Sequence, residues 1–539
     1  MTRPGYRHLG FLPVVVAWAL PLLLGLYFAF LPLADAQAWS ALFAHPQLWG
    51  ALALSLWTGA AGLTLSLGLA LVIVTGLYGT RHWPRLAATL GALMAIPHLS
   101  FAIGFAFLIM PSGILARVLA GGGAPPQWVT VQDPLGTGLI ACLVLKETPF
   151  ILAMIWNVLA QSPVAQSFNG QFRSARSLGH GAGSVWLRVL LPQLLPRLFW
   201  PLVIVWTYGA TVVDMALVIG PTQPPTLGAV IWSDLNNADT AINARGAAGA
   251  LLLTLAIAAC AGLAVLVFKL LSRRLRVFAT RGPSLLSTTP RVSLAVSMAG
   301  AAIYVVVMAV LAVMSVTASW PYPDLLPDTT SLSAWHRLAV SSSPFIASLA
   351  LAVLTPIAAL AAIILWFESI SAGLDRLVTA AAILALGLPA LLVAGAQYRL
   401  LLRLDLTATF TGLFLVHLTP VLAYVFIVLK GPYRGFDPRY RAVTFGLNAS
   451  SLRFWLKVKA PLLRAPLLMS AAIGFAVSFA QYVPAQLVAA GRYSTLPMDA
   501  VTLASGGNRP LTAAAALLLA VAPAIVFAGA YRFGRPRWN

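Results

Sequence analysis

The amino-acid sequence predicts an all-α, polytopic membrane protein with about twelve transmembrane helices in two homologous six-helix halves. Hydrophobic residues make up 60% of the 539 residues and charged residues only 9%, and the mean hydropathy is +0.89. A water-soluble surface is not built from such a composition. A helix needs about 20 mostly apolar residues to cross roughly 30 Å of hydrocarbon. Twelve such runs lie at 10–34, 48–79, 87–111, 137–161, 198–220, 246–271, 293–316, 344–367, 377–400, 408–430, 466–490 and 512–532.

The net charge is +21, and the basic residues are distributed along the chain as expected for a membrane protein. With the N-terminus inside, Lys146 falls within a span and only seven of the 34 basic residues fall outside, namely Arg117, Arg245, Arg337, Arg399, Arg403, Arg492 and Arg509. Because inner loops carry the excess of Lys and Arg, this distribution predicts that both termini are cytoplasmic. A nucleic-acid surface would instead gather basic and aromatic residues on one face, so we expect no nucleic-acid partner.

The N-terminal run has some features of a secretory signal. Arg3 and Arg7 precede an apolar stretch that ends at Ala34-Asp35-Ala36, a small-residue pattern typical of a cleavage site. The apolar stretch is much longer than the 7 to 15 residues of a signal core. We therefore expect the first span to be retained as a membrane anchor.

Short sequence pairs recur in the same order in both halves. They are Ser55-Leu56 and Ser348-Leu349, Pro97 and Pro389, Thr148-Pro149 and Thr419-Pro420, and Thr226-Leu227 and Thr495-Leu496. Six spans separate equivalent points, so the halves share one membrane orientation and an axis along the membrane normal. The sequence predicts a first half at 1–271, a cytoplasmic linker at 272–292 and a second half at 293–539.

A basic loop occurs at the same place in each half, at 173–196 and at 439–466. Each copy predicts a short helix, a turn at Gly179 or Gly446, and a second helix that enters an apolar span after Pro192 or Pro461. Paired loops of this kind are suited to contact with a soluble partner. The alternative is that their basic residues only keep the loops on the inner side of the membrane.

These loops resemble those of the membrane permeases of binding-protein-dependent ABC importers, in particular the fused two-domain type of the ferric-iron and thiamine transporters. That family carries EAA, three residues, Gly, and later Leu-Pro or similar. The copies here read Arg173-Ser174-Ala175, Leu178-Gly179 and Leu191-Pro192, and Tyr440-Arg441-Ala442, Phe445-Gly446 and Ala460-Pro461. The acidic residue is replaced by Arg173 or Tyr440, and the second copy has two extra residues between Gly and Pro.

The resemblance implies a translocation subunit of an ATP-driven importer in a bacterial inner membrane. Its implied partners are two copies of a cytoplasmic ATP-binding subunit, an external substrate-binding protein that delivers a small solute, and the lipid bilayer. The residues implied to couple the chain to the ATPase are Ala175, Arg176, Leu178, Gly179, Pro192, Ala442, Phe445, Gly446 and Pro461. The external protein would dock on the outer segments 221–245 and 491–511, whose alternative role is that of ordinary connections.

The sequence offers no catalytic constellation. It contains no GxxxxGK[ST] phosphate loop, so ATP hydrolysis is expected on a separate subunit and the chain is not expected to be an enzyme. Cys142 and Cys260 both fall inside predicted spans, where they resemble small core residues. Neither the cysteines nor the seven histidines show metal-ligand spacing, so we expect no metal and no cofactor.

Ionisable residues inside spans are functional candidates because unpaired charge is costly in hydrocarbon. They are Lys146, Glu147, Asp214 and His417. We expect Lys146 or Glu147 to meet Asp214 or His417 between the halves, either along a substrate pathway or as a buried structural pair. The same residues also suit an ion-coupled secondary transporter with twelve spans, which is the alternative function.

Overall fold

The computed structural model describes residues 14, 20–120, 123–279, 289–446 and 450–534. Almost all regular structure in this part of the chain is helical, and the two short strands, β1 (Thr317–Ser319) and β2 (Thr329–Thr330), form one antiparallel pair. The predicted all-α class is confirmed. We call the described residues up to 279 the N-terminal half and those from 289 the C-terminal half.

The N-terminal half contains thirteen described α-helices, and a π-helical turn at Trp186–Leu190 joins α9 to α10. They are α1 (Leu20–Phe30), α2 (Ala36–Phe43), α3 (Leu48–Leu77), α4 (Trp83–Ala95), α5 (His98–Ile109), α6 (Ile114–Ala120), α7 (Thr137–Leu159), α8 (Ser162–Ser177), α9 (Ala182–Val185), α10 (Leu191–Thr211), α11 (Asp214–Ile219), α12 (Leu227–Leu235) and α13 (Thr240–Ala279).

The C-terminal half also contains thirteen described α-helices, and a second π-helical turn at Trp455–Lys459 joins α21 to α22. They are α14 (Pro290–Ser315), α15 (Ser333–Val340), α16 (Ser343–Ser369), α17 (Asp375–Gly387), α18 (Ala390–Arg403), α19 (Phe410–Arg434), α20 (Arg439–Gly446), α21 (Ser451–Phe454), α22 (Ala460–Leu462), α23 (Arg464–Phe479), α24 (Val483–Ala489), α25 (Leu496–Ser505) and α26 (Arg509–Gly534).

Nine helical runs in the described residues are long and apolar enough to cross a membrane. Three bent helix pairs raise the number to twelve if each pair is one span, with bends of 72° at the N-terminal pair, 105° at α17–α18 and 79° at the pair ending in α23. The twelve predicted runs therefore all fall on apolar helices. The start of the first run, at 10–34, lies largely outside the described residues.

Four of the predicted spans are interrupted in the structure. The run 87–111 breaks between α4 and α5, and 377–400 breaks between α17 and α18. Proline disfavours the helical conformation of the residue before it. Ile96 and Leu388, which precede Pro97 and Pro389, are accordingly extended. The runs 198–220 and 466–490 likewise stop at Thr211 and Phe479 and resume as α11 and α24.

The first described helix of each half packs against the opposite half. Helix α1 lies against α18, and α14 lies against α3 and α5. One hydrophobic core consequently contains buried residues of both halves, among them Leu42, Leu227, Leu311 and Leu391. The halves share apolar surface and form a single packed unit.

The recurring Ser-Leu and Thr-Leu pairs meet in the same hydrogen bond in each half. The Leu227 amide donates to Ser55 Oγ at 2.8 Å, and the Leu496 amide donates to Ser348 Oγ at 2.8 Å. Each amide belongs to the first residue of a helix, where no intrahelical acceptor exists. The serines thus satisfy an otherwise orphaned donor.

The segments 221–245 and 491–511 are largely helical, because α12 and α25 occupy much of them, and Leu227 and Leu496 are buried. Their role in docking an external protein stays a prediction. The predicted linker at 272–292 includes 280–288, which lie outside the described residues, and the division into halves there stays a prediction.

Helices α3 and α10 cross at a pair of glycines. A Cβ added at Gly59 would lie 2.8 Å from the Ala210 nitrogen, and one added at Gly209 would lie 3.2 Å from the Gly59 Cα. Small residues at such crossings let membrane helices approach closely and gain dispersion contacts.

We expect Gly59→Ala to destabilise the protein, because the new methyl group must push the α10 backbone away, at a cost of about 1–3 kcal/mol. The matched control is Gly68→Ala in the same helix, where an added Cβ meets no atom within 4 Å. Thermal unfolding of both variants in detergent, followed by size-exclusion fluorescence, measures the difference. Equal melting temperatures would contradict the close crossing.

Candidate functional site

A histidine and a glutamate form an ion-pair geometry at the break between α4 and α5. His98 is the first residue of α5, and its Nε2 lies 3.1 Å from Glu147 Oε1 on α7. The His98 ring also packs on the Tyr208 ring of α10, with centroids 4.8 Å apart. The Glu147 side chain is 7% exposed, whereas the His98 side chain is 38% exposed, so the pair opens toward accessible space on its histidine side.

Asp214 lies beside this pair at the second break of the N-terminal half. It is the first residue of α11. Among the described residues Asp214 forms no ion pair within 4.0 Å. Asp214 and His98 thus each begin the helix that follows an interrupted span.

The residues His98, Glu147, Asp214 and Tyr208, which we call the polar cluster, lie on helices of the N-terminal half. Two of these helices touch the C-terminal half, because α5 packs against α14 and α26, and α11 packs against α25. The polar cluster is therefore close to the contact between the halves.

The structure places Lys146 in a different role from the one expected. Its Nζ donates to the carbonyl oxygens of Ile96 at 2.6 Å and Leu93 at 3.4 Å, and it lies over the rings of Phe101 and Tyr304. These carbonyls belong to the last turn of α4 and the residue after it, where helical acceptors are left unpaired. Lys146 thus satisfies carbonyl acceptors at the break and forms no hydrogen bond with Asp214 or His417 among the described contacts.

His417 has its partners within its own half. Its Nδ1 lies 3.0 Å from Ser478 Oγ, and its carbonyl accepts from Gln481 Nε2 at 3.1 Å. The expected contact of Glu147 with Asp214 or His417 is replaced by the contact with His98. Sequence reasoning missed His98 because the run 87–111 was treated as one span, although the residue directly follows Pro97, a known helix breaker.

The first basic loop has an exposed turn around Gly179, followed by a buried stretch at 183–186. Arg176 donates to the His180 carbonyl at 2.9 Å across a turn in which Gly179 has φ +87° and an added Cβ would meet no atom within 4 Å. Leu178 is 71% exposed. Ala175 precedes this turn on α8, and Pro192 lies at the start of α10 after the π-helical turn.

The second basic loop has a similar order of elements. Gly446 ends α20, is open to solvent in the same way, and follows the partly exposed Phe445. Residues 447–449 lie outside the described residues, so the predicted turn after Gly446 stays a prediction. Ala442 lies within α20, and Pro461 lies in α22 directly after the second π-helical turn.

Charged side chains anchor the second loop to α16 and α19. Glu368 Oε1 accepts from Lys459 Nζ at 2.7 Å and from the Tyr433 hydroxyl at 2.6 Å. Trp455 Nε1 donates to the same hydroxyl at 2.9 Å. Since Trp455 and Lys459 are the ends of the π-helical turn, this network fixes the loop where it enters the bundle.

A second ion pair stabilises the turn after α16, next to Glu368. Arg434 donates to both carboxylate oxygens of Asp375, at 2.8 and 2.9 Å, and to the carbonyls of Phe367 and Ile370. Trp366 Nε1 donates to Asp375 as well, at 2.9 Å. A bidentate guanidinium–carboxylate pair gives geometric specificity in addition to charge attraction.

The first loop is anchored by aromatic residues instead. Trp186, which begins the first π-helical turn as Trp455 begins the second, packs on Tyr78 with ring centroids 5.2 Å apart, and Phe172 packs on Tyr78 at 5.4 Å. Burial raises the pKa of Tyr78, which stays protonated and donates to Asn169 Oδ1 at 2.7 Å. Beside it lies a cavity of about 280 Å³ lined in part by Trp83 and Trp156.

This fold and these loops define a polytopic membrane protein of the permease type. No family model matches the chain. It is 31% identical over 492 residues to the inner membrane ABC transporter permease protein YnjC of Escherichia coli strain K12, a match that covers 91% of this chain and 89% of that protein. The chain belongs to the ABC transporter permeases and is a multi-pass inner-membrane protein. The ferric-iron or thiamine subtype stays a prediction.

We expect Glu368→Ala to loosen the second loop alone, because Lys459 and Tyr433 lose their shared acceptor. Loss of a buried or partly buried acceptor costs about 1–3 kcal/mol. Hydrogen exchange should accelerate in 450–466 and stay unchanged in 173–196, which serves as the internal control. Equal acceleration of both loops, or of neither, would contradict the anchoring role of Glu368.

Proposed function

We propose that this permease is the translocation subunit of an ATP-driven importer, which moves a small solute from an external binding protein into the cytoplasm, with both termini cytoplasmic. The observation that supports it best is the pair of exposed loops, at 173–196 and 439–466, each with a helix, an open glycine, a π-helical turn and a proline in the same order. Two such loops on one chain suit two copies of an ATP-binding subunit.

In this proposal each loop is the contact through which ATPase motion reaches the membrane helices. Leu178 and Phe445 present apolar side chains beside the open glycines, and a cleft on the partner can accept them. Basic residues such as Arg441 favour an acidic rim on that partner. Hydrolysis itself would take place on the separate subunit.

The solute would pass between the halves, at the polar cluster. Polar groups in the membrane interior mark substrate pathways because they are costly to keep there without use. The partly exposed His98 and Asp214 are the residues placed for solute contact. Lys146 and His417, also candidates, would act there indirectly by holding the broken helices.

The alternative expected from the sequence, an ion-coupled secondary transporter, is set aside because the chain belongs to the ABC transporter permeases. Purification in mild detergent tests the proposed ATPase contact. The importer subunit is expected to retain an ATPase, and purification without one under several conditions would contradict the proposal.

We expect Gly179→Arg and Gly446→Arg to abolish transport-coupled ATPase activity while leaving the protein inserted in the membrane. A long charged side chain at either glycine would occupy the space that the partner needs, and at Gly179 it would also strain a left-handed backbone. The measurement is the ATPase activity of the purified complex in proteoliposomes.

The matched control is Gly373→Arg. Gly373 is exposed, an added Cβ meets no atom within 4 Å, and it lies in the turn between α16 and α17, outside both loops. It adds the same charge and should retain activity. Full activity of both loop variants would exclude the proposed coupling role.

A further inference from the structure

An open cavity lies where four helices of the N-terminal half meet. It has a volume of about 280 Å³ and lies between the ends of α3 and α7 and the starts of α4 and α8. Because α8 leads into the first basic loop, the cavity is on the same face of the membrane as that loop. Its lining is mostly apolar and includes Tyr78, Trp83, Trp156, Leu159, Ala160 and Asn169.

Aromatic rings in mutual contact form one wall of this cavity. The rings of Trp83 and Trp156 have centroids 5.2 Å apart, and Tyr78 meets Trp83 edge-on at 6.1 Å. Trp and Tyr side chains are typical of the membrane–water interface, where one end of the ring system is apolar and the other is wet. Ala160 and Asn169, which also line the cavity, are exposed, so it is open to its surroundings. The wall therefore suits an apolar chain at the level of the interface.

The chain around this cavity carries basic residues and no acidic ones. Arg81 and Arg85 each directly follow a lining residue in the sequence, and both are exposed. Neither arginine takes part in an ion pair among the described residues. No Asp or Glu occurs in 36–132 or in 148–213, the two stretches that supply every lining residue. This charge distribution favours a ligand that combines an apolar chain with an anionic head.

We propose that this cavity binds an anionic phospholipid from the leaflet on the side of the two basic loops. One acyl chain packs against Trp83 and Trp156, and Arg81 and Arg85 bind the phosphate. A guanidinium group binds phosphate through two parallel hydrogen bonds, and the long apolar stem of arginine can follow the cavity wall. Basic residues at a membrane surface attract anionic lipid headgroups in this way. The lipid site does not depend on the proposed transport function.

The bound lipid also supports the first basic loop, because Tyr78 belongs to both the cavity and the loop anchor. The Tyr78 hydroxyl donates to Asn169 Oδ1 at 2.7 Å, and its ring packs on Trp186 and on Phe172 of α8. A chain packed beside Tyr78 restricts this ring and thereby the helix and the π-helical turn that contact it. The second loop is anchored by the Lys459–Glu368 pair instead, so the lipid acts on the first loop alone.

Photocross-linking tests the site directly. The full-length chain is reconstituted in phosphatidylcholine nanodiscs that contain a small share of either phosphatidylglycerol or phosphatidylcholine with the same diazirine-labelled acyl chain. After illumination, the measured quantity is the fraction of cross-links that fall in 78–85 and 156–169. We expect this fraction to be at least about fivefold higher for phosphatidylglycerol, because two basic residues at the membrane surface concentrate anionic lipid.

Arg81→Gln/Arg85→Gln should bring the fractions for the two lipids to the same value. The matched control is Arg376→Gln/Arg532→Gln, which removes the same charge at exposed positions near the second basic loop and should keep the difference. Equal fractions in the unmodified chain, or a difference that survives Arg81→Gln/Arg85→Gln, would overturn the proposal. The comparison in the unmodified chain decides the matter even if a variant does not fold.

Hydrogen exchange tests the effect on the loop. Phosphatidylglycerol should slow exchange in 173–196 and leave 450–466 unchanged, whereas phosphatidylcholine should slow neither. Ala160→Trp, whose large side chain occupies the open cavity, should remove the effect. Unchanged exchange in 173–196 would overturn the support of the loop. None of these measurements requires a bound ATPase, so failure of the importer proposal and failure of the lipid site are distinguishable.

Discussion

The hydrocarbon core of a membrane provides no water, so every interruption of a helix must find hydrogen-bond partners within the protein. This constraint determines much of the present structure. Lys146 donates to carbonyls at the end of α4, and Ser55 and Ser348 accept the first amides of α12 and α25. Side chains of neighbouring helices thus make broken spans tolerable, and the breaks in turn place polar residues in the interior.

The polar cluster follows from these breaks. His98 and Asp214 each begin a short helix after an interruption, and Glu147 lies two residues before Pro149, inside α7. In a continuous span these side chains would be distributed along separate helix faces and buried in apolar packing. The interruptions leave His98 and Asp214 at helix starts, on helices that pack against the C-terminal half.

The two halves share a scaffold and differ in where they carry charge. The matching serine contacts and π-helical turns belong to the scaffold. The N-terminal half has Glu147 and Asp214 beside its interrupted spans and an aromatic anchor under its loop. The C-terminal half has ion pairs under its loop, around Glu368 and Asp375, and phenols in the interior. The two loops of this permease chain are therefore anchored by different chemistry.

The sequence by itself determined the membrane class, the apolar runs, the recurring pairs and the two basic loops, because hydropathy and short repeats are local properties of a chain. It also identified Glu147 and Asp214 as unusual. Only the tertiary structure decided that His98 is the partner of Glu147, that Lys146 serves the backbone, and that four predicted spans are broken. Apolar runs look alike whether or not they bend, and a partner on another helix is set by packing, which no local pattern encodes.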